Sequence, residues 1–327
     1  MKMKFLNMIL DKRKYLKSKS FYFGITLSLC LLLLAFKDFD YEYFVISIKN
    51  IVLYKILLAS FLLMWAVYIR AVRWNFIIQN KNISIYTLYK GQLIGYFINN
   101  VFPLRAGEFI KAYYIGNKFK KSKSFILGTV FLERFFDFAG LIFLVFILFN
   151  SNLINVFIQN FLYVLVSIVI VFLLGLFFLN IFKNNFFKSK IKSKFYMFIS
   201  NVIDGFSKIE NTNIIISLLL TLIIWSIYIL EVYLVQSAFN INLGLYEVVF
   251  ILLVSSVSMF LPAAPGNFGT FEAAIIYAFF LFEKYNILIY NNNIGFIFIL
   301  HLVSYIPYTV FGFIYCIRDT KFLLMKK

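Results

Sequence analysis

Hydrophobic positions along the chain gather into long unbroken runs separated by short basic segments. Apolar runs lie at roughly 21–36, 50–69, 125–149, 161–182, 213–237 and 293–317. About 20 apolar residues suffice for a helix to cross the hydrocarbon core of a bilayer. A spanning backbone must also satisfy its own hydrogen bonds, which favours helices for runs of this length. Two further apolar stretches, 87–102 and 246–282, are short or broken. Their breaks are Pro103-Leu-Arg-Ala-Gly-Glu108 and Pro262-Ala-Ala-Pro-Gly-Asn-Phe-Gly-Thr-Phe-Glu272. Each sets Pro and Gly beside a carboxylate. Gly and Pro interrupting apolar segments in two halves of a membrane protein point to a binding site between discontinuous helices.

Composition agrees with the pattern. Hydrophobic residues make up 62% of the 327 residues and charged residues 14%, against about 25% charged in soluble domains. The expected fold class is an all-α polytopic membrane protein. The net charge of +18 is weak evidence alone, because Phe, Ile, Lys, Asn and Tyr, all encoded by AT-rich codons, are abundant together. No nucleic-acid partner is expected.

The placement of charge says more. Seven basic residues precede the first run within 1–20. Arg70, Arg73, Lys81 and Lys90 follow the second. Six fall in 105–123, six in 183–208 and four in 318–327. Segments 150–160 and 238–246 carry essentially none. The positive-inside rule assigns the basic segments to the cytoplasm, together with both termini. With six full spans, this holds only if 87–104 dips in and returns on the cytoplasmic side. Segment 246–282 then enters and leaves on the outer side. The two breaks become re-entrant hairpins from opposite faces; the alternative is eight spans. The expected organisation is a basic N-terminal segment, 1–20, a transmembrane domain, 21–317, and a basic tail, 318–327, in the cell membrane.

The run 21–36 follows a basic region like a secretory signal, but it is long for one and lacks a small-residue cleavage pattern, so it is read as a retained span. Cys30 and Cys316 both lie within apolar runs and imply no disulfide framework. The single histidine, His301, builds no zinc site, and no metal or cofactor is expected. No Walker A loop, dinucleotide turn or His-Glu-x-x-His helix occurs.

Charges within apolar runs are costly and usually functional. Glu133, Arg134 and Asp137 fall in 125–149, with Glu133 about 13 Å along a helix rising ~1.5 Å per residue. Glu133 and Asp137 share a face at four-residue spacing, and Arg134 and Asp137 can pair at three. The cluster is either self-neutralising and structural, or a polar lining whose arginine holds a lipid phosphate through its fork geometry. Glu231 stands alone within 213–237. It is either protonated and hydrogen-bonded or faces a hydrated cavity.

At the first break, Arg105, Glu108 and Lys111 recur at three-residue spacing. A helix starting after Pro103 places Glu108 near its first turn, where a carboxylate is favourable, and its free N–H groups suit an anion. At the second, Pro265-Gly266 suits a turn and Gly269 a close approach. Thr270 or Asn267 can cap the following helix, and Glu272 falls early in it, as one arm of a capping box with Gly269 as an unusual cap.

Arg70-Ala-Val-Arg-Trp74 is followed by Gly91-Gln-Leu-Ile-Gly-Tyr-Phe-Ile-Asn-Asn-Val-Phe-Pro-Leu-Arg-Ala-Gly-Glu-Phe-Ile-Lys-Ala-Tyr113. Then come Leu132-Glu-Arg-Phe-Phe-Asp137 and Pro262-Ala-Ala-Pro-Gly-Asn-Phe-Gly-Thr-Phe-Glu-Ala-Ala274. In order and spacing these segments resemble the transmembrane region of lysylphosphatidylglycerol synthase, a flippase-like family, over roughly residues 20–317. His301, Pro307 and Gly312 are similar to that family's last span. Arg73, Pro103, Gly107, Glu108, Glu133, Arg134, Asp137, Gly266, Gly269 and Glu272 match its motif positions, whereas Arg105 and Asn267 fall at variable ones. The resemblance implies lipid translocation. In two-part members this region is linked to moving an aminoacylated phospholipid to the outer leaflet, and a soluble domain makes that lipid from aminoacyl-tRNA. The present sequence contains no such domain, so lysyl transfer is not expected of it.

The expected mechanism places a lipid headgroup in a polar cleft between the two broken hairpins. Arg134 or Arg105 holds the phosphate, Glu108 and Glu272 contact a cationic group or act as proton-linked gates, and the acyl tails stay in the bilayer. The alternatives are a regulatory or scaffold subunit for partner proteins of a lipid or envelope polysaccharide pathway, and a membrane-embedded lipid-modifying enzyme.

Overall fold

The computed structural model describes residues 41–80, 82–101, 106–149, 194–207, 209–260, 264–282 and 287–324, with 26, 163 and 167. The expected runs 21–36 and 161–182 fall essentially outside these residues, as do Cys30, Pro103, Arg105 and Pro262. Every regular element among the described residues is helical.

The order is α1 (Tyr41–Lys49), α2 (Leu53–Ile78), α3 (Ile85–Val101), α4 (Gly107–Lys118) and α5 (Lys123–Phe149). It continues with α6 (Lys194–Ser207), α7 (Asn211–Ala238), α8 (Leu245–Ser258), a single 3-10 turn (Pro265–Asn267), α9 (Thr270–Leu281) and α10 (Ile287–Leu324). The long apolar runs become long helices because a straight helix closes all its interior backbone bonds where no water is available. Leu53–Ile78, Asn211–Ala238 and Ile294–Asp319 are long and apolar enough to cross a membrane. Helix α5 is equally long but carries Glu133, Arg134 and Asp137. Pro307 lies inside α10 without ending it, although its ring removes one backbone donor.

Both breaks appear as two short helices packed against each other, α3 on α4 and α8 on α9. The end of α3 also meets the 3-10 turn, so the two breaks are neighbours. Asn100 ties α3 to α10, its Nδ2 donating to Thr309 Oγ1 at 2.8 Å. The α3–α4 pair is close because Gly107 has no side chain. A Cβ there would lie 2.6 Å from Asn99 Oδ1 and would also strike the Gly95 carbonyl.

Two apolar cores result. One joins the late part of α2 (Ala71, Trp74, Ile77) to α3, α4 and the early part of α5 (Ile126, Val130). The other joins the early part of α2 (Ala59, Leu63) to the late part of α5 (Leu141, Leu144), with α7, α8, α9 and α10. Helices α2 and α5 therefore run through both cores, and their charged residues lie where the cores meet.

One expectation is corrected here. The arginines of the Arg70–Trp74 segment were expected to follow the second span as cytoplasmic charge. Helix α2 instead continues to Ile78 and buries both Arg70 and Arg73. Lys111, counted with the same basic segments, is also buried. The physical reason is that each has a buried carboxylate partner.

Candidate functional site

The functional side chains are brought together by helix periodicity. Arg70 and Arg73 sit three apart on α2 and face α5. Arg73 Nη2 donates to Asp137 Oδ1 at 2.7 Å, and its Nη1 donates to Thr221 Oγ1 of α7 at 2.7 Å. Arg70 pairs with the other oxygen, Asp137 Oδ2. Arg134, one turn earlier on α5, donates from Nη1 to the same oxygen at 3.1 Å. The expected Arg134–Asp137 pair is thus present, with two further arginines around it.

Glu133 turns to α3 and α4. Lys111 Nζ donates to Glu133 Oε2 at 2.7 Å and to Gln92 Oε1 at 3.0 Å. Gln92 Nε2 donates to Glu133 Oε1 at 2.5 Å. The Lys111 ammonium also lies 4.8 Å from the centroid of the Trp74 ring, a cation–π contact. Trp74 Nε1 donates to Thr129 Oγ1 at 3.0 Å, which places that ring.

Glu108 occupies the first turn of α4, as expected. Its Oε1 pairs with Arg134 Nη2. The helix terminus behind it is partly filled, because Gly107 N–H donates to Asn99 Oδ1 at 2.8 Å. Arg134 and Glu108, assigned separate headgroup contacts from the sequence, are thus each other's partners in this structure.

Four cations, Arg70, Arg73, Lys111 and Arg134, face three carboxylates, Glu108, Glu133 and Asp137. The network carries one net positive charge. Its members are almost wholly enclosed except at one end, where the Arg134 side chain is 31% exposed and that of Glu108 18%. Tyr96, Tyr228 and Tyr308 continue the lining at that end. Tyr96 stacks on Tyr308 with centroids 5.0 Å apart, and Arg70 Nη1 donates to Tyr228 Oη at 3.5 Å. Tyr96 lies within electrostatic reach of both Arg70 and Arg134. All three rings are only partly buried. The arrangement suits binding an anionic group at Arg134 beside aromatic surface.

Glu231 joins none of these pairs. It is buried, and its Oε1 is sealed without a hydrogen-bond partner. Tyr308 of α10 lies within its electrostatic reach.

Glu272 forms a separate centre at the second break. Gly269 is the N-cap of α9. Its N–H donates to Glu272 Oε2 at 2.7 Å, which is the carboxylate arm of a capping box. Glycine has no side chain, so the other arm is missing. Thr270 is the first residue of α9 rather than its cap, and its hydroxyl donates to Asn267 O at 3.0 Å. The turn itself holds positive φ at Gly266 (76°), Asn267 (60°) and Gly269 (91°), a conformation that glycine accepts at little steric cost. Glu272 Oε1 lies 2.6 Å from His301 Nδ1, and His301 Nε2 lies 2.8 Å from Gly266 O.

The structure thus gathers Arg73, Glu108, Glu133, Arg134 and Asp137 into one network and leaves Glu272 outside it. Sequence reasoning missed Arg70, Gln92, Lys111 and His301 as site residues. Two arginines at i and i+3 beside an apolar run, and a histidine inside one, were the available signals. No group of three or more metal-ligating side chains occurs among the described residues.

A UPF0104 membrane protein of Methanocaldococcus jannaschii is 29% identical to this chain over 217 residues, covering 66% of this chain and 91% of that protein. No solved structure matches the chain. The family model for the lysylphosphatidylglycerol synthase TM region matches residues 21–312, which takes in every residue of the ionic network and of the Glu272–His301 pair, and the chain belongs to that family of membrane proteins.

Proposed function

We propose that this protein moves a phospholipid or related lipid between leaflets, with the headgroup passing the Arg134–Glu108 end of the network. The observation that carries this reading is an enclosed ionic network with one net positive charge that opens at Arg134 within an apolar helical fold. Each charge placed at membrane depth costs about 2.5–3.5 kcal/mol on insertion scales. Seven are retained here. An arginine at the mouth can exchange Glu108 for a headgroup phosphate, since both offer the same acceptor geometry.

The two broken hairpins are re-entrant in this reading. Helices α4, α8 and α9 have 12, 14 and 12 residues. At 1.5 Å per residue each is roughly 18–21 Å long, short of the ~30 Å hydrocarbon core. The contact of α3 with the 3-10 turn brings the two breaks side by side, as tips of hairpins meeting within the membrane. The protein resides in the cell membrane with both termini cytoplasmic, and partner proteins of a lipid or envelope pathway supply or receive the lipid.

The test is movement of headgroup-labelled phospholipids in liposomes that contain the purified protein, read by a quencher added outside. Protein-dependent loss of the protected fraction is expected, and it should be weakened by Arg134→Gln. No movement with anionic, zwitterionic or cationic lipids would overturn the proposal in favour of a regulatory subunit.

A further inference from the structure

Glu272 and His301 are both buried. The imidazole stacks on Phe271 with centroids 4.4 Å apart and meets Phe268 at 4.5 Å. Water is therefore excluded from most of the pair. His301 Nε2 faces the carbonyl oxygen of Gly266 at 2.8 Å. A carbonyl can only accept, so Nε2 carries a proton. Glu272 Oε2 accepts from the Gly269 N–H at 2.7 Å. The 2.6 Å contact between Nδ1 and Oε1 is a hydrogen bond only if one proton lies between them. The pair then holds that single proton as imidazolium and carboxylate or as imidazole and carboxylic acid. In both forms its net charge is zero.

No other proton count fits this geometry. With the shared proton removed, an Nδ1 lone pair faces a carboxylate, and a buried negative charge is left without a cation. With one added, two N–H or O–H groups oppose each other. Among the described residues, neither side chain has any other ion pair. The titratable groups on the elements packed there are, among the described side chains, Tyr305, with its centroid 6.1 Å from that of His301, Tyr308, Tyr315, Cys316, Arg318 and Asp319 on α10, Tyr277 on α9, Tyr86, Tyr89, Lys90 and Tyr96 on α3, and Tyr246 and Glu247 in the first turn of α8. None of them is shown bonded to the pair.

We infer that Glu272 and His301 form a proton-binding site that is occupied when the second break is closed onto α10, and that opening this break releases the proton. The three hydrogen bonds join the turn (Gly266), the start of α9 (Gly269, Glu272) and α10 (His301), so separating the turn from α10 breaks the couple. Once hydrated, a glutamate titrates near pH 4.3 and a histidine near pH 6.5. Above about pH 6.5 the open form therefore holds one proton fewer than the closed form, and rising pH favours opening. Between about pH 4.3 and 6.5 the two forms hold the same number, so opening is independent of pH. The ligand of this site is the proton itself. Its use in transport rests on the lipid-translocation reading, whereas the site stands on its own geometry.

The experiment uses the full chain in lipid nanodiscs, with Cys30 and Cys316 changed to Ser and spin labels at Ala264→Cys and Ile215→Cys. Distances are read by pulsed electron resonance between about pH 5 and about pH 8.5, which brackets the histidine range. A second distance is expected whose ratio to the first rises about tenfold per pH unit above about pH 6.5 and is flat below it. In Glu272→Gln the amide can donate to Nδ1 while its oxygen keeps the Gly269 N–H, so the closed geometry survives without a shared proton; the slope above about pH 6.5 should vanish, and opening should instead rise as pH falls below it, where the released imidazole gains a proton. His301→Gln should abolish the rise with pH too, which keeps the test open if the first variant fails to fold. One distance at every pH, or an unchanged slope in the variants, would overturn the inference. Opening that follows pH without lipid movement in liposomes would sink the translocation reading and leave the proton site standing. Lipid movement with pH-independent opening would do the reverse.

Discussion

Lys111 of α4 reaches Glu133 of α5, Nζ to Oε2 at 2.7 Å, with each side chain 3% exposed. Two charges are thereby taken out of solvent at the contact between the first broken hairpin and the long charged helix. Removing one partner of such a pair typically costs about 3–5 kcal/mol, because the remaining charge stays buried and unpaired. Lys111→Met should therefore lower thermal stability sharply. Lys111→Met with Glu133→Gln should recover most of the loss. A double-mutant cycle on unfolding temperatures in detergent checks this, and additive losses would show that the two residues do not act as a pair.

Gly107→Ala should loosen the first hairpin. The added methyl would meet Asn99 Oδ1 at 2.6 Å and the backbone of Gly95, and backbone cannot rotate away. Overpacking of this kind costs about 1–3 kcal/mol. It also displaces the Asn99 cap of α4, and with it Glu108. The expected result is a lower midpoint of thermal unfolding on size-exclusion monitoring, with any lipid movement reduced in step.

Much of this was legible in the sequence, and what was not had a common cause. The apolar runs at 125–149 and 213–237 became α5 and α7 nearly residue for residue. Local pairs were also legible: Arg134 with Asp137, Glu108 in a first turn, and Glu272 reaching back to Gly269. These depend on helix geometry over three or four residues. The charge pattern counts Arg70 and Arg73 with the cytoplasmic segments, and only the family resemblance marks Arg73 as a site candidate, because their carboxylate, Asp137, is more than 60 residues away. His301 has no partner visible in the sequence, because Glu272 lies 29 residues earlier. Hydropathy can show that a charge is costly, but only packing shows what compensates it. Helix α10 outran its apolar run for a related reason: Tyr114 donates its hydroxyl proton to Asp319, and this holds the last turns against α4.

Arg134 should separate function from stability. It is the most exposed cation of the network, and it pairs with Glu108 and Asp137 at the open end. Partly exposed pairs are worth less than enclosed ones. Arg134→Gln should therefore unfold close to the wild-type temperature while lowering lipid movement at least tenfold, about 1.4 kcal/mol in transition-state terms. Arg73→Gln is the comparison, since Arg73 is fully enclosed and its loss should reduce folded yield as well. Equal effects of the two changes on yield would show that the mouth of the network is structural too.

Glu231 supplies the opposite test. It is buried on α7 with Oε1 sealed and unpartnered, so it weakens the fold in which it sits. An unsatisfied buried polar group costs about 1–3 kcal/mol, and replacing it with an apolar side chain of similar volume removes that cost. Glu231→Leu should therefore raise the unfolding temperature. If lipid movement falls in the same variant, the carboxylate is retained for function against its effect on stability, and its position near Tyr308 extends the headgroup path from Arg134 along α7. Unchanged lipid movement together with higher stability would restrict the path to the Arg134–Glu108 mouth. A lower unfolding temperature would mean that the second carboxylate oxygen makes a bond strong enough to outweigh the first oxygen's lack of one.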